Sequence, residues 1–194
     1  MIKFILPFLL CFSVHAQIVL KGSVLNGSIL GTTNAVAAPP VGTPFVTSFS
    51  GGSTVNAFTG KVGMKFQPTT PITVTSLGRY VVSGNTLTHV VELWDTGTTG
   101  TDCNIIIASV TVDTSGQSAN TVVYGNITPT ALLTSHSYAV MSNEISGQDK
   151  YLDDNSTTTV TSDATLLFSL FYSGSCGVNS AGHTYGVNWK YTNP

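Results

Sequence analysis

No stretch of this chain repeats its apolar residues every three or four positions for as long as a helix requires. They recur every second position instead, in short runs, and that period belongs to half-buried strands. The last run is the clearest. His183, Tyr185, Val187, Trp189 and Tyr191 fall on one face, and Thr184, Gly186, Asn188 and Lys190 on the other. Between Asn104 and Asp113, Ile106, Ala108, Val110 and Val112 alternate with Ile105, Ile107, Ser109 and Thr111. Asp163 to Tyr172, DATLLFSLFY, is almost continuously apolar and reads as a strand buried on both sides. Turn-forming residues separate these runs, as in Gly51-Gly52-Ser53 and in the TGTTGTDC and TSGQSAN segments. Many short strands with frequent turns predict an all-β fold, a single antiparallel β-sandwich of jelly-roll type over residues 45–193.

Pro71 to Asp95 shows this grammar at its most compact. Two runs rich in Val, Ile, Thr, Tyr and Trp flank Ser83, Gly84 and Asn85, which predicts an antiparallel hairpin. In the second arm Leu87, Val91 and Leu93 share one face, while Thr88, Val90, Glu92 and Trp94 share the other. In the first arm Ile72 and Val74 share a face, and the alternation then slips near Ser76 and Leu77. Such a slip is expected of a β-bulge.

Composition bears on where the chain works. Charged residues make up only 8% of it, while Ser and Thr together number 50, a neutral hydroxyl-rich surface that suits an extracellular β-protein. With a net charge of −2 there is no basic patch to neutralise a phosphate backbone, so nucleic acid is not an expected partner. Residues 1–16 read as an export signal: Lys3, the apolar run Phe4–Val14, and a Val14-His15-Ala16 cleavage site before Gln17. That run is too short to span a bilayer, and no other segment is long enough, so no membrane span is expected after cleavage. Residues 17–44 read as an N-terminal segment and linker, with the short echo GSVL, GSIL and then a proline-bearing, uncharged stretch. The expected location is secreted, extracellular or periplasmic. There the two remaining cysteines, Cys103 and Cys176, are expected to form a disulfide, with two free thiols as the alternative.

There is no G-x-S-x-G elbow, and Gly60-Lys61 lacks the earlier glycine of a phosphate-binding loop. His89, His136 and His183 lie on separate segments without zinc-ligand spacing. Cys176 and His183 fit a disulfide cysteine and a strand histidine better than a thiol–imidazole pair. A glycosidase needs two opposed carboxylates, and the spacing of Glu92, Glu144 and the aspartates selects no pair. The chain is therefore expected not to be an enzyme. The strongest local signal is acidic: Glu144, Asp149, Asp153 and Asp154, with Asn155, supply hard oxygen donors that suit a structural Ca2+, or else a solvated acidic turn. Of the aromatic residues, Trp94 at a strand end and Tyr151 in a loop are the expected ligand contacts. The alternating aromatics from His183 to Tyr191 are expected in the core.

Four strings carry a resemblance: PITVTSLGRYVVSGNTLTHVVELWD, ASVTVDTSG, LTSHSYAVMSNEISGQDKYLDD and GHTYGVNWKYT. Together they span about Thr59 to Thr192 and resemble a family of β-sandwich accessory domains of poorly defined function. These occur in secreted multidomain bacterial proteins, often beside glycoside hydrolases or adhesive repeats. Where the family commonly reads G-G-D after the S-x-E segment, this chain has Gly147-Gln148-Asp149. The resemblance implies the fold and an exported context, and it brings no catalytic residue. The expected function is a non-catalytic binding module for extracellular or cell-surface carbohydrate. The alternative is a structural or adhesive domain whose partner is a surface protein.

Overall fold

A computed structural model of the chain describes residues 38–98, 103, 105–153, 155–181 and 183–194. The expected signal peptide (1–16) and residues 17–37 of the expected linker lie outside the described residues, as does Asp154. Every regular element among the described residues is a strand, and every strand pairing is antiparallel. No helix among them is long and apolar enough to cross a membrane.

The strands are β1 (Thr43–Pro44), β2 (Val46–Ser50), β3 (Thr54–Val55), β4 (Gly60–Pro68), β5 (Ile72–Tyr80), β6 (Thr88–Asp95) and β7 (Ile105–Asp113). They continue with β8 (Val122–Leu132), β9 (Tyr138–Glu144), β10 (Tyr151–Leu152), β11 (Thr157–Val160), β12 (Ala164–Tyr172), β13 (Cys176–Ala181) and β14 (Val187–Thr192). One sheet has the order β13-β12-β4-β9-β6-β7 and the other β1-β14-β5-β8; two ribbons, β10-β3 and β11-β2, complete the set. The inward residues of both large sheets form one core, with Met64, Phe66, Leu93 and Val140 from the first and Val74, Leu77, Val187 and Trp189 from the second. At its centre Trp189 stacks on Phe45 at 4.6 Å and on Phe66 at 4.5 Å. Such aromatic pairs add about 0.5–1.5 kcal/mol each beyond the area they bury.

The expected hairpin at 71–95 does not form. β5 pairs with β14 and β8 in the four-stranded sheet, whereas β6 pairs with β7 and β9 in the six-stranded sheet. The segment between them crosses from one sheet to the other. Its backbone groups, which a hairpin would satisfy in its own ladder, find other partners. The Val81 amide donates to the Thr121 carbonyl, and the amides of Thr86 and Leu87 donate to the Asp149 carboxylate. The bulge expected near Ser76 does occur: the β5–β8 register shifts between Val74 and Ser76.

Residues 38–44, read from sequence as the end of the linker, lie along the four-stranded sheet. β1 pairs with β14, and the Val41 carbonyl accepts from Thr75 Oγ1 at 2.7 Å. The strand then changes sheets. Phe45 still donates to the Trp189 carbonyl, but one residue later the Asn188 side chain takes over as partner. Asn188 Oδ1 accepts from the Val46 amide and Nδ2 donates to the Val46 carbonyl, both at 2.8 Å. From there β2 leaves to pair with β11.

On the outer face of the six-stranded sheet, Trp94, Ala139, Met141 and Leu170 form a small apolar cluster against Tyr172 and the Cys103–Cys176 disulfide. The bridge joins residues 73 apart, and closing a loop of that length stabilises the fold by about 4 kcal/mol on the chain-entropy account.

One buried ionic network joins the two sheets. Arg79 on β5 makes a two-pronged contact with Glu144 on β9: Nε to Oε1 and Nη2 to Oε2, both 2.9 Å, with each side chain only 1% exposed. Ser142 Oγ donates to Glu144 Oε1 at 2.7 Å. His89 on β6 lies between the two acids, its Nδ1 3.5 Å from Glu144 and its Nε2 3.2 Å from Asp149. Asp149 also accepts from Thr114 Oγ1 at 2.9 Å. Burial opposes ionisation of Asp149, but the donors from Leu87, Thr86, His89 and Thr114 outweigh it and hold its carboxyl below the usual carboxylate range.

Removing one partner of a buried pair leaves a charge without compensation, so Arg79→Met is expected to destabilise the fold by about 3–5 kcal/mol in urea titrations. The Arg79→Met, Glu144→Gln double variant should lose less than the two single losses combined. Asp149 gives a second expectation. Its carboxyl titrates lower when folded than when unfolded, so its stabilisation is complete above about pH 4 and is lost as the pH falls through the lower folded value. Asp149→Asn should therefore flatten the acid limb of the stability curve, measured by urea midpoint against pH.

Candidate functional site

At one end of the sandwich the inner faces of the sheets part around a pocket of about 280 Å³. Each wall residue arrives by a different route. Val62 on β4 and Phe171 on β12 are cross-strand partners, so their side chains emerge on the same inner face. Phe58 leads into β4 and meets Phe171 edge to face, with ring centroids 6.0 Å apart. Tyr151 comes from β10 and Tyr185 from the turn before β14, and these rings also meet edge to face at 6.1 Å. Asp153 and the exposed Asn179 supply the polar groups of the lining. The Asn179 amide donates to the Tyr185 hydroxyl.

Hydrogen bonds from distant segments hold the loop that carries Tyr151 and Asp153. The Lys150 carbonyl accepts from Arg79 Nη2 at 3.0 Å and from Asn85 Nδ2 at 2.9 Å, so the residue before Tyr151 is pinned to the buried ionic network. β10 pairs with β3, which sets Tyr151 opposite Val55. Beyond it the Asp153 amide donates to the Ser53 carbonyl, Ser53 Oγ donates to Asp153 Oδ2 at 3.3 Å, and the Ser53 amide donates to Asn155 Oδ1 at 2.9 Å. Gly177 shapes the opposite wall. A Cβ there would collide with the Phe171 ring, so only glycine lets that ring lie where it does.

Of the acidic residues expected to gather around an ion, Glu144 and Asp149 share His89 and are otherwise held by different groups. Glu144 faces Arg79, Ser142 and His89. Asp149 faces the 86–87 amides, His89 and Thr114. Asp153 lines the pocket. The two aromatics expected to contact a ligand are likewise placed apart, Tyr151 in the pocket and Trp94 on the outer face of the six-stranded sheet. Trp94 has internal partners. Its Nε1 donates to Glu92 Oε2 at 2.9 Å, the Lys61 ammonium lies 4.8 Å from its ring centre, and Lys61 binds the same Glu92 oxygen at 2.7 Å. Of the two glutamates considered for glycosidase chemistry, Glu92 is thus bound by Lys61 and Trp94, and Glu144 by Arg79. Cys176 is in the disulfide, and His183 Nδ1 meets the Ser156 carbonyl at 2.9 Å.

Sequence reasoning missed Phe58, Phe171 and Asn179. Phe171 was hidden in the continuous apolar run of β12, where alternation does not reveal which residue reaches the end of the core. Phe58 and Asn179 carry no pattern at all. The supporting Arg79 did leave a signal, a charge two positions after Leu77 on the core-facing side of β5.

Chemically the pocket offers aromatic surface with a carboxylate, an amide and two phenols. The Tyr151 hydroxyl is pushed up to about 12, first by burial and then by the negative charge of Glu144, Tyr185 and Asp153 nearby, so it is neutral and hydrogen-bonding at physiological pH. The chain matches no family model and no curated protein.

A phenolate difference titration tests this electrostatic environment. The absorbance of the wild type minus that of Tyr151→Phe should show a phenol with its midpoint near 12, against about 10 for an unperturbed tyrosine. A midpoint at the ordinary value would mean the ring is solvated.

Proposed function

We propose that the protein is an exported, non-catalytic module that binds carbohydrate in the pocket formed by Phe58, Tyr151, Phe171 and Tyr185. The observation that carries this reading is the composition of one cavity: four aromatic rings with Asp153 and Asn179 among them. A sugar ring has apolar C–H faces and a rim of hydroxyls. Aromatic rings pack against the first, while a carboxylate and an amide together accept from and donate to the second. The resemblance to secreted β-sandwich accessory domains supports the same reading. So do the disulfide, which suits an oxidising compartment, and the leader-like residues 1–16.

Calcium would enter this reading as a structural ion at the acidic loop, where Glu144 and Asp149 hold internal partners and Ser53 binds both Asp153 and Asn155. There it would brace Asp153 at the pocket. The adhesive reading rests on a different observation: Ile105 and Ile106 on β7, at the edge of the six-stranded sheet, are 62% and 47% exposed.

The test is a glycan array of the mature protein with calcium and with chelator, followed by calorimetry on the best ligand. Asn179→Ala removes an exposed amide and leaves the core intact. It is expected to weaken binding about tenfold, the effect of one or two lost hydrogen bonds, with an unchanged melting temperature. A blank array in both conditions would defeat the carbohydrate reading and turn the search to protein partners at the β7 edge.

A further inference from the structure

A second concavity, with a lining distinct from that of the pocket at Tyr151, opens on the outer face of the four-stranded sheet, where β2 departs for its ribbon. Its larger hollow measures about 400 Å³ and is lined by residues that include Phe49, Tyr80, Asn120, Tyr124 and Asn188. A second hollow of about 260 Å³ adjoins it and shares Phe49, Tyr80 and Asn120, so the two make one trough with Tyr80 as the common wall. None of the described residues lining either hollow is charged.

We propose that this trough is a second ligand site, built for a neutral, hydroxyl-rich chain such as a glycan segment lying across both hollows. The proposal does not depend on the pocket at Tyr151.

Three observations support it. First, the polar groups of the trough are held in place before any ligand arrives. Asn188 is saturated: Oδ1 accepts from the amides of Val46 and Trp189, and Nδ2 donates to the Val46 carbonyl and to the Tyr124 hydroxyl, the last at 2.7 Å. The Tyr124 oxygen thus accepts one bond, and its own proton is left to donate. Burial raises that phenol's pKa, so it keeps the proton. Second, Asn120 is the one non-glycine among the described residues in the left-handed backbone region, at φ 62°. Its Oδ1 accepts from Tyr80 at 2.9 Å, which directs the amide nitrogen away from that ring. A fixed donor of this kind loses little conformational entropy when it binds. Third, the uncharged character of the described lining residues disfavours ions and charged peptides. Hydroxyls, amides and aromatic edges match a neutral polyol. The Lys190 ammonium lies 4.7 Å from the Tyr124 ring centre but is tied to the Pro40 carbonyl at 3.1 Å, so Tyr124 contributes its hydroxyl and not a free ring face.

The experiment is amide NMR of the full mature chain titrated with four neutral hexasaccharides (cello-, xylo-, laminari- and malto-hexaose) at millimolar concentration. Shifts are expected at Tyr80, Asn120 and Tyr124 with at least one of them. Tyr124→Phe and Asn120→Gly should each weaken that response about tenfold, and Asn179→Ala should leave it unchanged. Asn120→Gly keeps the left-handed backbone accessible while removing the amide, so it stays informative if Tyr124→Phe disturbs packing. Absence of shifts at these residues with all four sugars would overturn the proposal. So would shifts that neither trough variant alters. Shifts confined to Tyr151, Asn179 and Tyr185 would support the pocket and overturn the trough.

Discussion

The contact between Arg79 and Glu144 organises more of this molecule than any other single interaction. It crosses the sandwich from β5 to β9 with both side chains 1% exposed, so each ion has been taken almost wholly out of water. A buried ion is tolerable only when every hydrogen-bonding position is filled, and here the neighbourhood supplies partners on all sides. Ser142 and His89 attend the carboxylate, while the carbonyls of Lys150 and Tyr80 attend the guanidinium. A greasy contact of similar volume would hold the sheets together as well or better. What the ionic contact adds is direction. It fixes the Lys150 carbonyl, and therefore the start of β10, relative to both sheets.

That directional anchor explains how protein groups hold residues 149–151 in place. Asp149 looks from sequence like a free acid in a polar loop. In the fold it closes the crossing between β5 and β6 by accepting the amides of Thr86 and Leu87, the donors that a hairpin ladder would otherwise have used. One carboxylate therefore solves a problem of topology. The same logic applies at the β1–β2 switch, where the Asn188 amide imitates a missing strand for Val46. At both points a strand leaves its neighbour and a side chain fills the broken ladder, and both points border a concavity. Concavities arise in sandwiches where strands part, and at the β1–β2 switch the Asn188 side chain that fills the broken ladder is also part of the wall.

The sequence was legible where a local rule decides the outcome. Alternation in β7 and β14 specified strands, Trp189 and Tyr191 were placed in the core, and the slip in β5 marked a real bulge. It was misleading at 71–95 for a physical reason. A hairpin and a crossing between sheets demand the same ingredients, two period-two arms and a polar turn. They differ only in which distant strands the arms meet. β5 meets β14 and β8, and β6 meets β9, partners that no local pattern names. The site followed the same division. Tyr151 stood out as an aromatic in a loop and Asp153 as an oxygen donor for calcium, whereas Phe58 and Phe171 became neighbours only through the pairing of distant segments.

Trp94 and Tyr151 show why an aromatic side chain is not a site by itself. Both are almost buried, at 6% and 5% exposure, and both sit near a carboxylate. Trp94 has its indole N–H bound by Glu92 and its ring covered by Lys61, and Glu92 and Lys61 bind each other, so a ligand there would have to break contacts already made. Tyr151 instead borders open volume shared with three other rings. The difference lies in local charge balance. Lys61 gives the outer-face cluster its own cation, and a cation, a carboxylate and an indole satisfy one another completely. Among the described residues the lining of the pocket at Tyr151 contains Asp153 and no lysine or arginine, so the lysine–carboxylate–indole closure seen at Trp94 is not repeated there.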